Sequence, residues 1–425
     1  MPNIWDLMNQ IGPRVGIRVT PDSSINPIRH VQQPANWDRL YRAAVAAALL
    51  PPGKSSPLFV ATYGGSDETY FATDGLATTW CGYQRQRLVN LLGLWGDFYH
   101  IRMNIVDAPF WSGTPPIVAL VGGGRTQTPS GYGATAVYTA LATTLWTFTT
   151  PYALDPVKGE IGAVYLDTAT AMSWSLDGGS FTTVGVTNGN TTAQKKLVLN
   201  AASNGWNPNA VNGIHTLALR QSVAATCIPT GFYCCPGGSA QTFGVGYARL
   251  TYPGASVLDW YRLDQSPPDK TLMLAGNTSA LAPVVPGFGF PMNAHLVQFA
   301  GDLAANDMIL GNDPAITRRG LLAMMSASRR AVDDCTIAGL EVSVPDGVRS
   351  DLNAANCPAN SATYPDYQEQ FRDALDHIGG SLFSLHDRWG NLGVAKGFQT
   401  QVNGGFHMSP DGARDADQFL QQGGL

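Results

Sequence analysis

Four residues, far apart along the chain, are of the types that acyl transfer needs: Ser66, Gly254, Asn306 and His407. That chemistry takes a hydroxyl nucleophile on an exposed turn, a neutral imidazole within hydrogen-bond reach of it, and preorganised N–H donors facing the developing oxyanion. Ser66 could supply the hydroxyl and one amide, His407 the base, and the Gly254 amide with the Asn306 side chain the remaining donors. Glycine at 254 lets the backbone approach closely. Asn312, in Gly311-Asn312-Asp313, is a rival for the asparagine role, but Asp313-Pro314 reads more simply as a helix cap.

These residues need elements to hold them. Leu58–Tyr63 is a short apolar run bounded by turn residues, fit for a buried strand, and Ser66 follows it in a glycine-rich turn. A helix is expected after the turn, with Trp80, Leu88, Leu91, Leu92 and Trp95 on its stripe. An earlier helix carries Trp37, Leu40, Tyr41, Ala44, Val45, Ala48 and Leu49 and ends at Pro51-Pro52. The run HLVQFA (295–300) leads to Asn306, and a helix starts at Asp313-Pro314 with Ile316, Leu321, Met324 and Ala327 inward. Another helix carries Tyr367, Phe371, Leu375 and Ile378, and the strand SLFSLH (381–386) follows. His407 precedes Ser409-Pro410, a helix-start signal, after which Ala413, Ala416, Phe419 and Leu420 share a face. Strands alternating with helices imply a largely parallel sheet covered on both sides.

Between residues 116 and 225 the pattern changes. Short β-prone runs recur about every ten residues, divided by turn pairs such as Asp177-Gly178 and Asn188-Gly189, with no helical stripe among them. This reads as a β-sandwich inserted into the α/β domain, whose parts are then residues 36–115 and 226–425. Residues 1–35, rich in Pro, Asn and Gln, read as an arm or attachment segment.

Charged residues are only 13% of the chain and the net charge is −5, which excludes the basic stripe of a nucleic-acid groove. So sparse a charge favours interfaces, and a homo-oligomer is expected. The first residues lack a basic segment before an apolar core, so no secretory signal is expected, and no apolar run reaches membrane-spanning length. Cys234 and Cys235 are adjacent rather than spaced as metal ligands, so neither a metal nor another cofactor is expected. A Cys335/Cys357 or Cys227/Cys234 disulfide and free buried thiols remain alternatives. His30, His100, His215, His295, His377 and His386 have no catalytic context and are expected to be structural. Trp146, Trp174 and Trp206 are expected to pack in a core rather than to stack on sugars.

In order and setting, the segments GGSDETY around Ser66, RLTYPGAS around Gly254, LAANDMI around Asn306 and GGFHMSPDG around His407 resemble the four signature blocks of the SGNH, or GDSL-type, hydrolases. The likeness covers residues 36–112 and 244–425, and FRDALDHIGGSLFSLHDRWG resembles the helix and strand before that family's last block. It implies a flavodoxin-like α/β/α sandwich carrying a jelly-roll-like insert, with Ser66 as nucleophile and oxyanion donor, Gly254 and Asn306 as further donors, and His407 as base. The chain departs from the family at three positions: Gly65 stands where the family has aspartate, Ala304 where it has glycine, and Gly404 where it has the aspartate that orients the imidazole. Asn403, Asp387 and Asp411 are the substitutes for that last group that the neighbouring sequence offers.

Such a chain is expected to be a serine esterase or deacetylase acting on an acylated glycan or lipid of a cell envelope. Similar modules occur in phage minor tail proteins. With the irregular arm and low charge, that implies a tail or baseplate protein of a virion at the host surface, bound to other virion proteins through residues 1–35. The alternative is a catalytically degenerate structural or host-recognition protein that keeps the hydrolase fold.

Overall fold

The computed structural model describes residues 31–32, 39–51, 53–65, 67, 78–100, 118–121, 127–128, 137–140, 145–166, 172–183, 194–221, 225–227, 229–251, 255–260, 294–331, 335–342, 364–389, 395–399 and 407–423. Its framework is a sheet of ten strands. In spatial order these are Val31–Gln32, Ser381–Ser384, Thr336–Glu341, Leu296–Ala300, Leu58–Gly64, Val245–Thr251, Leu94–His100, Pro229–Cys235, Glu160–Leu166 and Gln194–Leu199. The six from Ser381–Ser384 to Leu94–His100 are parallel. Leu58–Gly64, Val245–Thr251, Leu296–Ala300, Thr336–Glu341 and Ser381–Ser384 are buried along their whole length, as strands covered on both faces must be.

The two covering layers can be read from one strand pair. Gly339 lies beside Leu382 in the parallel register, and a Cβ on Gly339 would touch Leu375 and Phe371 of the Tyr364–Ile378 helix. Phe383, the next residue along, points the other way and meets Phe419 of the Pro410–Gln422 helix edge-on, with ring centroids 5.7 Å apart. Arg87 of the Trp80–Leu92 helix donates to Asp417 at 2.8 Å, tying that helix to Pro410–Gln422. Trp95, placed by its spacing on the same helical stripe, instead lies in the next strand, because Gly93 ends the helix with a positive φ of 82°.

The β-rich segment is not a free-standing sandwich. Glu160–Leu166 and Gln194–Leu199 extend the central sheet as antiparallel strands. A second sheet is ordered 182–183, 172–176, 216–221, 145–149 and 118–121, and it meets the central one at Pro229–Cys235 and Leu94–His100. Phe148 stacks on Phe232 at 5.2 Å and lies against Tyr99 at 5.7 Å, so the two sheets share one core. The turn expected at Asp177-Gly178 is present, with φ of 52° and 76° and the Gly179 N–H donating to the Leu176 carbonyl, the geometry two-residue hairpins favour. Asn188-Gly189 lies outside the described residues. From the N-terminal arm, Val31–Gln32 forms the edge strand against Phe383 and Leu382.

Cys81, Cys234, Cys235 and Cys335 are buried, with no disulfide among the described residues, and Cys357 lies outside them. No helix among the described residues is long and apolar enough to cross a membrane.

Candidate active site

The chain leaves Leu58–Gly64 first toward Val245–Thr251 and Leu94–His100, and later returns on the other side through Leu296–Ala300. The carboxyl end between Leu58–Gly64 and Leu296–Ala300 is therefore the topological switch point, where open α/β sheets bind ligands. Gly65 and Asp67 leave one strand there, and Asp302 and Asn306 follow the other. Ser66 and Gly254 lie outside the described residues.

His407 is held from three directions. Its Nδ1 lies 3.1 Å from Oδ1 of Asp67, and the same oxygen accepts the Met408 amide at 3.2 Å. Met408 bridges to Gln399, and the Ser409 amide donates to the Phe398 carbonyl at 2.9 Å. Ser409 caps the last helix by accepting from the Gly412 amide, as the Ser-Pro signal implied. Gly412 is required by contact: a Cβ there would lie 1.9 Å from the Phe398 carbonyl oxygen. The His407 side chain is buried, and with Nδ1 turned to a carboxylate its Nε2 is the nitrogen left for a proton-transfer partner.

Asp67 is thus the imidazole's carboxylate partner, a residue the sequence reading did not single out. The substitutes offered by the nearby sequence do other work: Asp387 pairs with Arg372 at 3.1 Å and Asp411 with Arg414 at 2.9 Å, while Asn403 lies outside the described residues. An acid directly after the serine in GGSDETY was the available signal. Asp67 Oδ2 is buried without a hydrogen-bond partner, so the imidazole and the Met408 amide, both on Oδ1, are the contacts that seat this carboxylate.

Asn306 lies on the Asp302–Ile309 helix, almost wholly buried, and its Nδ2 donates to the Ala255 carbonyl at 2.7 Å. One of the two amide hydrogens is thereby used and the other remains. The bond also seats the segment after Val245–Thr251 beside Asn306. Asp307 reinforces this seat, accepting from Thr317 Oγ1 and Asn312 Nδ2 at 2.8 Å each, from the Leu258 amide at 3.5 Å and from Ser256. Burial pushes its carboxyl up to about 7 against those hydrogen bonds. The rival Asn312 is therefore a ligand of Asp307, and Asp313 caps the next helix by accepting from the Ala315 amide at 2.7 Å.

Two of the remaining histidines have structural partners. His295 Nδ1 accepts from the Phe59 amide at 3.0 Å, and burial lowers its pKa. His215 pairs with Asp177 at 2.7 Å beneath the stacked Trp206. Trp146 and Trp174 are core residues.

No protein-family model and no curated protein matches the chain. Among solved structures it is similar to a peptidoglycan O-acetylesterase, at 13% identity over 92% of this chain and 97% of that one, with a TM-score of 0.54. Lesser likenesses include a Corynascus thermopiles (Myceliophthora fergusii) carbohydrate esterase family 2 enzyme with a carbohydrate-binding domain (11% identity, 67% and 93% covered, TM-score 0.28). Another is a family two carbohydrate esterase from Cellvibrio japonicus (10% identity, 72% and 94% covered, TM-score 0.25). The near-complete overlap with the O-acetylesterase establishes the fold: mixed α/β with a large, mostly parallel sheet, like that of the SGNH hydrolases.

Proposed function

We propose that the protein is a serine esterase that removes acyl groups, acetyl above all, from a glycan of a cell envelope. The observation that carries this reading is the Asp67–His407 pair at the sheet's switch point, with the Asn306 amide on the adjoining helix. The Ser66 hydroxyl attacks the ester carbonyl carbon while His407 Nε2 takes its proton, and Nδ1–H remains donated to Asp67. The oxyanion is met by the amides of Ser66 and Gly254 and the Asn306 side chain. Collapse expels the glycan hydroxyl, which leaves with the proton from His407, and water repeats the sequence to free the acid. The matched fold of a protein named for peptidoglycan O-acetyl groups supports acetylated envelope glycan as the substrate class.

The low charge and the N-terminal segment support a setting in a phage virion, in the tail or baseplate, with that segment gripping other virion proteins and the chain assembled as a homo-oligomer. Finding the chain by mass spectrometry in purified particles from a producing culture tests this part.

The enzymatic part is tested by acetate release from O-acetylated peptidoglycan and by p-nitrophenyl acetate turnover. Both should be abolished in Ser66→Ala and His407→Ala, and Asn306→Ala should lower kcat by about 10²–10³-fold. A folded wild type without turnover on either substrate would instead favour a structural or host-recognition protein that keeps the hydrolase fold.

A further inference from the structure

We propose that Asp302 is a positioning residue for the nucleophile turn: its carboxylate holds the backbone on both sides of Ser66 and sets that turn against Asn306. The catalytic consequence rests on the esterase reading above, whereas the anchoring rests on geometry alone.

Asp302 is wholly buried. Its Oδ1 and Oδ2 each lie 3.1 Å from the Gly65 amide nitrogen, and Oδ2 lies 3.4 Å from that of Asp67. Where a strand ends and a helix begins, backbone amides have neither a ladder nor a helical acceptor, and buried ones must find one elsewhere. A carboxylate answers two such amides with charge-assisted bonds.

Asp302 and Asn306 are four residues apart on one helix and so share a face. Gly65 lies directly on that face: a Cβ there would stand 2.6 Å from Asp302 Oδ2 and 2.9 Å from Asn306 Nδ2. Position 65 is glycine because the helix already fills the space with a carboxylate. A single rigid element therefore carries both the anchor of the turn and an oxyanion donor, and their separation is set by one helical turn instead of by two independent loops. The carboxylate that the family resemblance expects on residue 65 comes here from residue 302, entering from the opposite side.

The test is a double-substitution cycle on the full chain with Asp302→Ala, Gly65→Asp and the pair together. Asp302→Ala should lower kcat for p-nitrophenyl acetate by roughly 10²-fold through misplacement of the turn, with KM within about twofold and unfolding still cooperative. Gly65→Asp alone sets a second carboxylate against the first and should lower both Tm and kcat. In the pair, the clash with the carboxylate of residue 302 is relieved while that with Asn306 remains, and Tm and kcat should both rise above those of Gly65→Asp. Loss of turnover in Ser66→Ala tests the esterase reading separately, and the Tm cycle decides the anchor even for an inactive wild type. Strictly additive Tm losses in the pair, or wild-type kcat in Asp302→Ala, would overturn the proposal.

Discussion

The Asp67 carboxylate meets the His407 imidazole at 3.1 Å although 340 positions separate them. It lies one residue after Ser66 in the chain, whereas the segment before the histidine carries Gly404 where the resembled family has its acid. The carboxylate beside the imidazole therefore comes from a segment far from the histidine in the chain.

Asp67→Asn tests this directly. An amide keeps the shape but favours the wrong imidazole tautomer, and in a serine triad this change costs about 10⁴ in kcat. The expected outcome on p-nitrophenyl acetate is a loss of that order with KM little moved, while Asp387→Asn, remote in its bonding from His407, leaves turnover within about twofold.

Asp307 makes stability depend on pH in the opposite sense from an ion-paired carboxylate. Its carboxyl rises from an ordinary 3.8 to about 7 in the folded protein, chiefly through burial. Between those values the native state holds a proton that the unfolded chain has released, so stability from this group is greatest at the acid end and falls as pH rises toward 7. Calorimetry of wild type and Asp307→Asn from pH 4 to 8 should show the Tm difference, wild type minus variant, falling across that window and levelling above it.

Phe148 joins the second sheet to the central one through Phe232 and Tyr99 and is wholly buried. Phe148→Ala should cost about 3–5 kcal/mol in urea unfolding. Phe232 lies on a strand three places from Leu58–Gly64. Turnover of a small ester in the folded variant should therefore stay near wild type, and a large loss there would show that the second sheet supports the site.

Of the six cysteines, the four buried among the described residues, Cys81, Cys234, Cys235 and Cys335, should react with a thiol reagent only after denaturation. Titration in native buffer and then in guanidinium checks this, and prompt reaction of all four in the native protein would contradict their burial.

Much of the architecture was legible in the chain because local chemistry dictated it. The Ser409-Pro410 cap, the Asp313-Pro314 helix start and the Asp177-Gly178 turn each follow from what a side chain can do for its own backbone within a few residues. Apolar runs such as Leu58–Tyr63 marked the strands that are buried on both faces. His407 and Asn306 stood out differently, through the resemblance of their segments to the SGNH hydrolase blocks and not through local periodicity. What tertiary structure decided was partnership: that Asp67 serves His407, that Asp302 fills the space beside Gly65, and that the β-rich segment continues the central sheet. Each depends on which strands become neighbours across hundreds of residues, and local periodicity carries no information about pairing at that distance.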